Sequence, residues 1–243
     1  MNLIKRIDKI SNEIDIIDCD DTRMLTKNIT GPRNLVYLPL NLTEELACVL
    51  GMILGDGHLK KNEKKIVFEE VTFSQTKLFK EIIDYIFSYD QKIKRRIDKR
   101  KNRKVRYNVQ INSTCIYLFF NKILEVPIGK KSNVIRVPSF ILENTKEIQK
   151  SFLMGVLLTD GGKHNKGYGL STASEEFRDN IMTLLYSNGI KCYLDGWENE
   201  KYKRRYYGLY FKKKEISKIM QGCQSGLMGQ IHQEFNKKFL AGG

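Results

Sequence analysis

Two aspartates are the residues of this chain best placed to do chemistry. Asp56 closes the run Val49-Leu50-Gly51-Met52-Ile53-Leu54-Gly55-Asp56-Gly57, and Asp160 closes Leu153-Met154-Gly155-Val156-Leu157-Leu158-Thr159-Asp160-Gly161. A carboxylate at a helix C-terminus faces the negative pole of the helix dipole, and a second one beside it adds like-charge repulsion. Such a pair calls for a positive partner. Mg²⁺, which binds through oxygen and favours one or two carboxylates plus substrate phosphates, meets the need.

The elements that would position the acids follow from the same runs. A helix apolar on every side is buried, and small residues four apart, Gly51 with Gly55 and Gly155 with Thr159, let two helix backbones approach closely. The two runs are therefore expected to pack on each other, each stopping at the glycine after its acid as a left-handed cap. That places Asp56 and Asp160 at the same end of the pair. One pattern written twice at near-domain spacing predicts a duplicated fold.

These residues closely resemble the LAGLIDADG motif of homing endonucleases, in the single-chain, two-repeat form also found in archaeal and intein-type members. Pro39-Leu40-Asn41-Leu42-Thr43-Glu44-Glu45-Leu46-Ala47 resembles the family's lead-in to the first motif, and Gly129-Lys130-Lys131-Ser132 with Arg136-Val137-Pro138 resembles its segment between repeats. The resemblance implies an α+β fold of tandem αββαββα repeats, related by a pseudo-two-fold axis along the motif helices, with two DNA-binding antiparallel sheets. Residues 1–38 are read as an N-terminal extension, 39–137 as the first repeat and 138–243 as the second.

Composition agrees. At 243 residues the chain can hold one large or two small domains. A net charge of +14 and a pI near 9.5 point to a polyanionic partner, with nucleic acid ahead of an acidic membrane surface. The apolar runs are too short to span a bilayer, and Lys5, Arg6, Asp8 and Lys9 interrupt any secretory h-region. Five scattered cysteines without a C-x-x-C pair argue against zinc and for a reducing, intracellular compartment. Neither a Cys or Ser start nor a terminal His-Asn is present, so self-splicing is not expected.

Along the chain, Ile4, Ile7, Ile10, Ile14 and Ile17 recur at helical spacing and predict a short amphipathic helix. Thr43 is the expected N-cap of the first motif helix, with Glu44 and Glu45 in its first turn, and Asn144 with Glu147 the capping pair of the second. Between them a strand is expected over 66–73, a helix over 76–88, and basic strands over about 92–100 and 103–111. Alternation sets Val105, Tyr107, Val109 and Ile111 on one face against Lys104, Arg106, Asn108 and Gln110 on the other. The second repeat reads in the same order: strand 168–172, helix 175–187, strands 191–199 and 203–212. Phe177 there answers Phe79.

The resemblance makes Asp56 and Asp160 the metal ligands, with the carbonyls of Gly55 and Thr159 joining them around two or three Mg²⁺ ions, for which Mn²⁺ would substitute. Gln75 matches a family position that orients the metal-bound water network. Aligning Phe79 with Phe177 sets Ala173 opposite it, so unequal cleavage of the two strands is expected. Lys131 matches the basic residue near the scissile phosphate, and Lys237 or Lys238 is its weak second-repeat match. His58 and His164 sit at unmatched offsets and are not expected to act as bases; Trp197 is read as packing.

Lys94, Arg96, Arg100, Lys104, Arg106, Asn108 and Gln110 are the expected DNA-reading residues of the first half. Arg204 and Arg205, among Tyr202, Tyr206 and Tyr207, are those of the second. A two-stranded ribbon fits the major groove, and neutralising roughly 6 to 10 phosphates would cost about 10³ to 10⁵ in affinity between 50 and 200 mM salt. The implied function is a monomeric, Mg²⁺-dependent, site-specific endonuclease that cuts a long asymmetric DNA site across the minor groove and leaves short 3′ overhangs. An RNA-binding intron maturase on the same scaffold is the alternative.

Overall fold

A computed structural model describes residues 1–29, 34–97, 104–201, 203–220 and 226–240. In chain order these form α1 (Ile4–Ile7), β1 (Ile14–Cys19), β2 (Arg23–Asn28), β3 (Val36–Pro39), α2 (Glu44–Gly55), β4 (Gly57–Lys60), β5 (Lys65–Glu70), α3 (Phe73–Phe87), β6 (Lys94–Arg96), β7 (Arg106–Ile111) and α4 (Thr114–Leu118). A π-turn, Phe119–Ile123, extends α4. Then follow α5 (Ser139–Leu142), α6 (Lys146–Asp160), β8 (Gly162–His164), β9 (Gly167–Thr172), α7 (Glu175–Ser187), β10 (Cys192–Asn199), β11 (Arg204–Phe211), α8 (Lys213–Ile219) and α9 (Gly226–Phe239).

The duplication is explicit in the sheets. β4-β5-β7-β6 and β8-β9-β11-β10 are both four-stranded, both antiparallel, and share one strand order. Each follows one motif helix, α2 or α6, and those two helices pack along each other. Their contact is as tight as the small residues imply. A Cβ on Gly155 would lie 1.9 Å from the Cys48 carbonyl oxygen, one on Gly51 2.3 Å from the Phe152 carbonyl oxygen, and one on Gly55 2.0 Å from Thr159 Oγ1. No larger residue fits without separating the rods.

The helices stop differently from expectation. Neither Gly57 nor Gly161 has a positive φ; Asp56 is the right-handed C-cap of α2, and Gly161 is extended, at φ −80 and ψ 155. Space rather than handedness selects glycine here, because the chain folds straight back over the last helical turn. A Cβ would meet Ile53 Cα at 2.7 Å in one copy and the Leu157 carbonyl oxygen at 2.4 Å in the other.

Thr43 caps α2 by accepting from the Leu46 amide. At α6 the N-cap is Thr145, with no side-chain cap, and Asn144 instead donates to Phe140 O and accepts from the Thr145 amide. Phe73 begins α3 rather than ending a strand. The isoleucine-spaced segment is also different: α1 is one turn, and β1, β2 and β3 form a separate three-stranded sheet. Ile7, Ile10 and Ile14 are buried while Ile4 and Ile17 are exposed. A run of β-branched residues prefers strand once tertiary partners exist. Ile97 lies just beyond β6 and is exposed. Among the described residues, no helix is long and apolar enough to cross a membrane, and Cys19, Cys48, Cys115 and Cys192 are free thiols.

Candidate active site

At the end of the helix pair both motif aspartates meet crowded, acidic surroundings. Burial, a hydrogen bond with the Glu70 carboxyl and the charge of Asp160 push the Asp56 carboxyl up to about 8, against the opposing pull of Lys131. Asp160 also lies above the usual carboxylate range, raised by burial and Glu70 and lowered by Lys131 and Lys238. Its surface remains open to solvent although protein atoms crowd it, as suits a group on the floor of a cleft.

Two lysines answer the helix ends. Lys131 Nζ donates to the carbonyls of Ile53, Leu54 and Gly55, at 2.6 Å for the last two. Lys238 Nζ donates to Leu158 O at 2.6 Å and Thr159 O at 3.2 Å. Each satisfies terminal carbonyls that a helix leaves without partners and places a cation at its negative pole. Burial lowers Lys131 to about 8, opposed by both aspartates, and lowers Lys238 as well. Lys238 is thus the spatial counterpart of Lys131; Lys237 pairs outward with Glu234.

Around this shared core the halves diverge. β5 and β9 each end two residues before their helix, α3 or α7, so Thr72 matches the N-cap Ser174, Glu70 matches Thr172, and Gln75 matches Phe177. The Phe79–Phe177 alignment, which set Ala173 opposite Gln75, is therefore displaced by the strand and helix registers. The second half has no amide at the matching position. Gln75 is only 6% exposed, has no hydrogen-bond partner among the described residues, and lines a recess of about 400 Å³ with Glu70, Ser74, Thr159 and Lys238.

Glu70 lies outside the motif and is missed by sequence reasoning. It shares strand parity with Ile66 and Phe68, both fully buried, and an acid in register with core residues is the signal that could have found it.

Oxygen donors suit a hard divalent ion. Burial, then the Glu70 and Asp160 carboxyls, raise the Asp56 carboxyl, and a cation bound there would oppose that shift. Among the described residues no cluster of three or more His, Cys, Asp or Glu side chains forms a self-contained cage. The carbonyls of Gly55 and Thr159 are those now held by Lys131 and Lys238.

On the sheet faces away from the helices, Lys94, Arg96, Arg106, Asn108 and Gln110 align in the first half, opposite buried Val109 and Ile111. Lys104 is exposed just before β7; Arg100 lies outside the described residues, as does Tyr202. Two details alter the expected surface. Glu69 sits between Arg96 and Arg106, at 3.3 and 3.4 Å, and Asn108 is buried with its Oδ1 unpaired.

In the second half, alternation separates neighbours. Arg204 is on the open face and bonds Ser132 Oγ at 3.1 Å, whereas Arg205 turns toward Tyr207, whose hydroxyl contacts Glu175 of α7. The open face is otherwise aromatic. Trp197 stacks on Tyr206, Tyr193 packs tilted against Tyr210, and Trp197 is 38% exposed rather than buried packing. His164 packs on Tyr210, and His58 is held below its usual range by burial and by Lys131 and Lys60.

Comparison with known proteins shows the fold. The structure is similar to the homing endonuclease I-DmoI in complex with DNA and Ca (TM-score 0.53, 18% identity, covering 77% of this chain and 93% of that one). It is also similar to the homing endonuclease I-WcaI bound to its DNA recognition sequence (TM-score 0.52, 18% identity, 82% and 88%). This is the architecture of the homing endonucleases: two antiparallel-sheet halves on a central helix pair. No family model matches the sequence.

Sequence relatives are of another kind. They include the Replication factor C small subunit of Methanocaldococcus jannaschii, 32% identical over 74% of this chain. The DNA polymerase of Thermococcus kodakarensis is 27% identical over 68%, and the glutamine–fructose-6-phosphate aminotransferase of Methanocaldococcus jannaschii 27% identical over 65%. The chain spans only 9%, 9% and 14% of those proteins.

Proposed function

We propose that this protein is a site-specific DNA endonuclease of the homing type, hydrolysing one phosphodiester in each strand across the minor groove with Mg²⁺ and acting as a monomer. The observation that carries this reading is the matched quartet at one end of the helix pair: Asp56 and Asp160 as acids, Lys131 and Lys238 as bases on the two helix ends. The basic sheet faces flanking it and the charge of +14 fit a long duplex.

Asp56 and Asp160, with the carbonyls of Gly55 and Thr159, would hold Mg²⁺. When bound it would polarise the scissile phosphates and lower the pKa of the attacking water. Lys131 and Lys238, displaced from the Gly55 and Thr159 carbonyls by the incoming ion, would put positive charge where the pentavalent phosphate gains negative charge. Gln75 has a free amide in the recess and orients water on the first-half side. The sheets supply register through phosphate contacts and sequence preference through base edges. In-line hydrolysis at the two positions would leave a 3′-hydroxyl and a 5′-phosphate on short 3′ overhangs.

The relatives add support for a transferable element. Proteins named for three different activities each contain one segment similar to this chain, and a segment shared across such hosts is not the machinery of any one of them. That suits intein or intron homing in an intracellular setting.

The test is cleavage of a plasmid library carrying candidate sites, with Mg²⁺ or Mn²⁺, by wild type, Asp56→Asn and Asp160→Asn. Linear product from wild type, lost in both variants, is expected. No cleavage of any site together with tight RNA binding would replace the reading with the maturase.

A further inference from the structure

The two halves of the acid cluster differ in one carboxylate. Glu70 reaches Asp56 at hydrogen-bond contact and takes the Val71 amide on its own Oε1. At the matching position of the second half, Thr172 accepts from the Ser174 amide and offers no charge. The recess beside Glu70 is polar and open, and Gln75 lines it nine-tenths buried with no hydrogen-bond partner among the described residues. Its amide opens on the recess, where water or an ion's hydration shell can meet it.

We propose that Asp56 and Glu70 form a divalent-cation site that fills in the free protein, before DNA binds, while the Asp160 half takes a cation only when a phosphate completes it. The inference rests on the endonuclease reading and adds to it a ligand that the motif does not contain. Two carboxylates in contact could share one hard ion completed by water, which the Gln75 amide in the adjoining recess would orient. Asp160 has no carboxylate neighbour in contact within its own half. The site assembly is therefore ordered: a cation first at Asp56–Glu70, then DNA, then the second cation.

Mn²⁺ titration of the DNA-free protein, followed by loss of the free-ion electron paramagnetic resonance signal, tests this without any cleavage. One equivalent per chain is expected to bind. Glu70→Gln and Asp56→Asn should each weaken it by about tenfold or more, and Glu70→Asp should retain most of it. Thr172→Ala should leave it unchanged, and Asp160→Asn should still bind one equivalent. Circular dichroism melts in EDTA check that Glu70→Gln is folded.

Equal binding by Glu70→Gln and wild type, no binding without DNA, or a site lost in Asp160→Asn would each overturn the proposal. Those outcomes are separable from failure of the nuclease reading, which is decided by plasmid cleavage alone.

Discussion

The first and second halves share a skeleton and differ in what surrounds it. Each contributes one aspartate, one lysine on a helix end and one four-stranded sheet. Only the first adds Glu70 and Gln75, where the second has Thr172 and Phe177. The open faces part in the same way: the first is ionic, with Lys94, Arg96, Arg106 and Glu69, and the second is aromatic, with Tyr193, Trp197, Tyr206 and Tyr210. Positions that must meet at the axis stayed matched. The positions after β5 and β9 and the open sheet faces differ, and Glu70 and Gln75 reach across to a recess shared with Thr159 and Lys238.

The largest effect should come from breaking the match at the axis. Gly155→Val drives a branched side chain into the Cys48 carbonyl and is expected to destabilise by roughly 4 kcal/mol or more. Gly189→Ala, at a turn with open space but φ +69, should cost far less. Urea unfolding of the two measures the contrast.

Next, Lys131→Met and Lys238→Met remove equivalent cations from the two halves. Each should slow cleavage by about 10², and strand-labelled duplex should show the loss concentrated in opposite strands. An identical strand pattern for both would argue that the lysines act jointly.

Asp56→Asn should stabilise the protein in EDTA at pH 7 to 8, by roughly 1–3 kcal/mol. The carboxyl is raised to about 8 in the fold from an ordinary 3.8, so its contribution is favourable below about pH 4 and is lost as pH rises toward 8. The gain should therefore vanish in acid, and thermal melts against pH read it directly. Excess Mg²⁺ should reverse it by stabilising wild type alone.

The smallest effect concerns His232 on α9, buried with both ring nitrogens unpartnered and its pKa lowered by burial. Its neutral form stabilises the fold above about pH 6.5, and that contribution is lost as pH falls below. His232→Phe should flatten the melting temperature between pH 5 and 6.5 and change little at pH 8.

How much of this was legible varies with the range of the interactions. Periodicity placed α7 at its observed bounds and β10 and β11 within a residue, because strong local patterns there agree with the final packing. The N-terminal isoleucines fit a helical period, yet sheet pairing with 23–28 decided otherwise. Glu70 and Lys238 were less legible for a different reason. Strand parity with Ile66 and Phe68 marks Glu70 as an inward acid and the resemblance offers Lys238 beside Lys237, but which carboxylate or helix end each meets, across 14 positions in one case and about 80 in the other, is set by packing.

Local pattern suffices to bring two apolar helices together along small residues and to end each one in an acid, because helical spacing fixes which side chains share a face. Tertiary structure alone decided the rest: the lysines that occupy the helix ends, the Glu70 contact, the opposite orientations of Arg204 and Arg205, and the pairing of Gln75 with Phe177. Those follow from the registers of strands and helices against each other, and register is fixed only when the whole core closes.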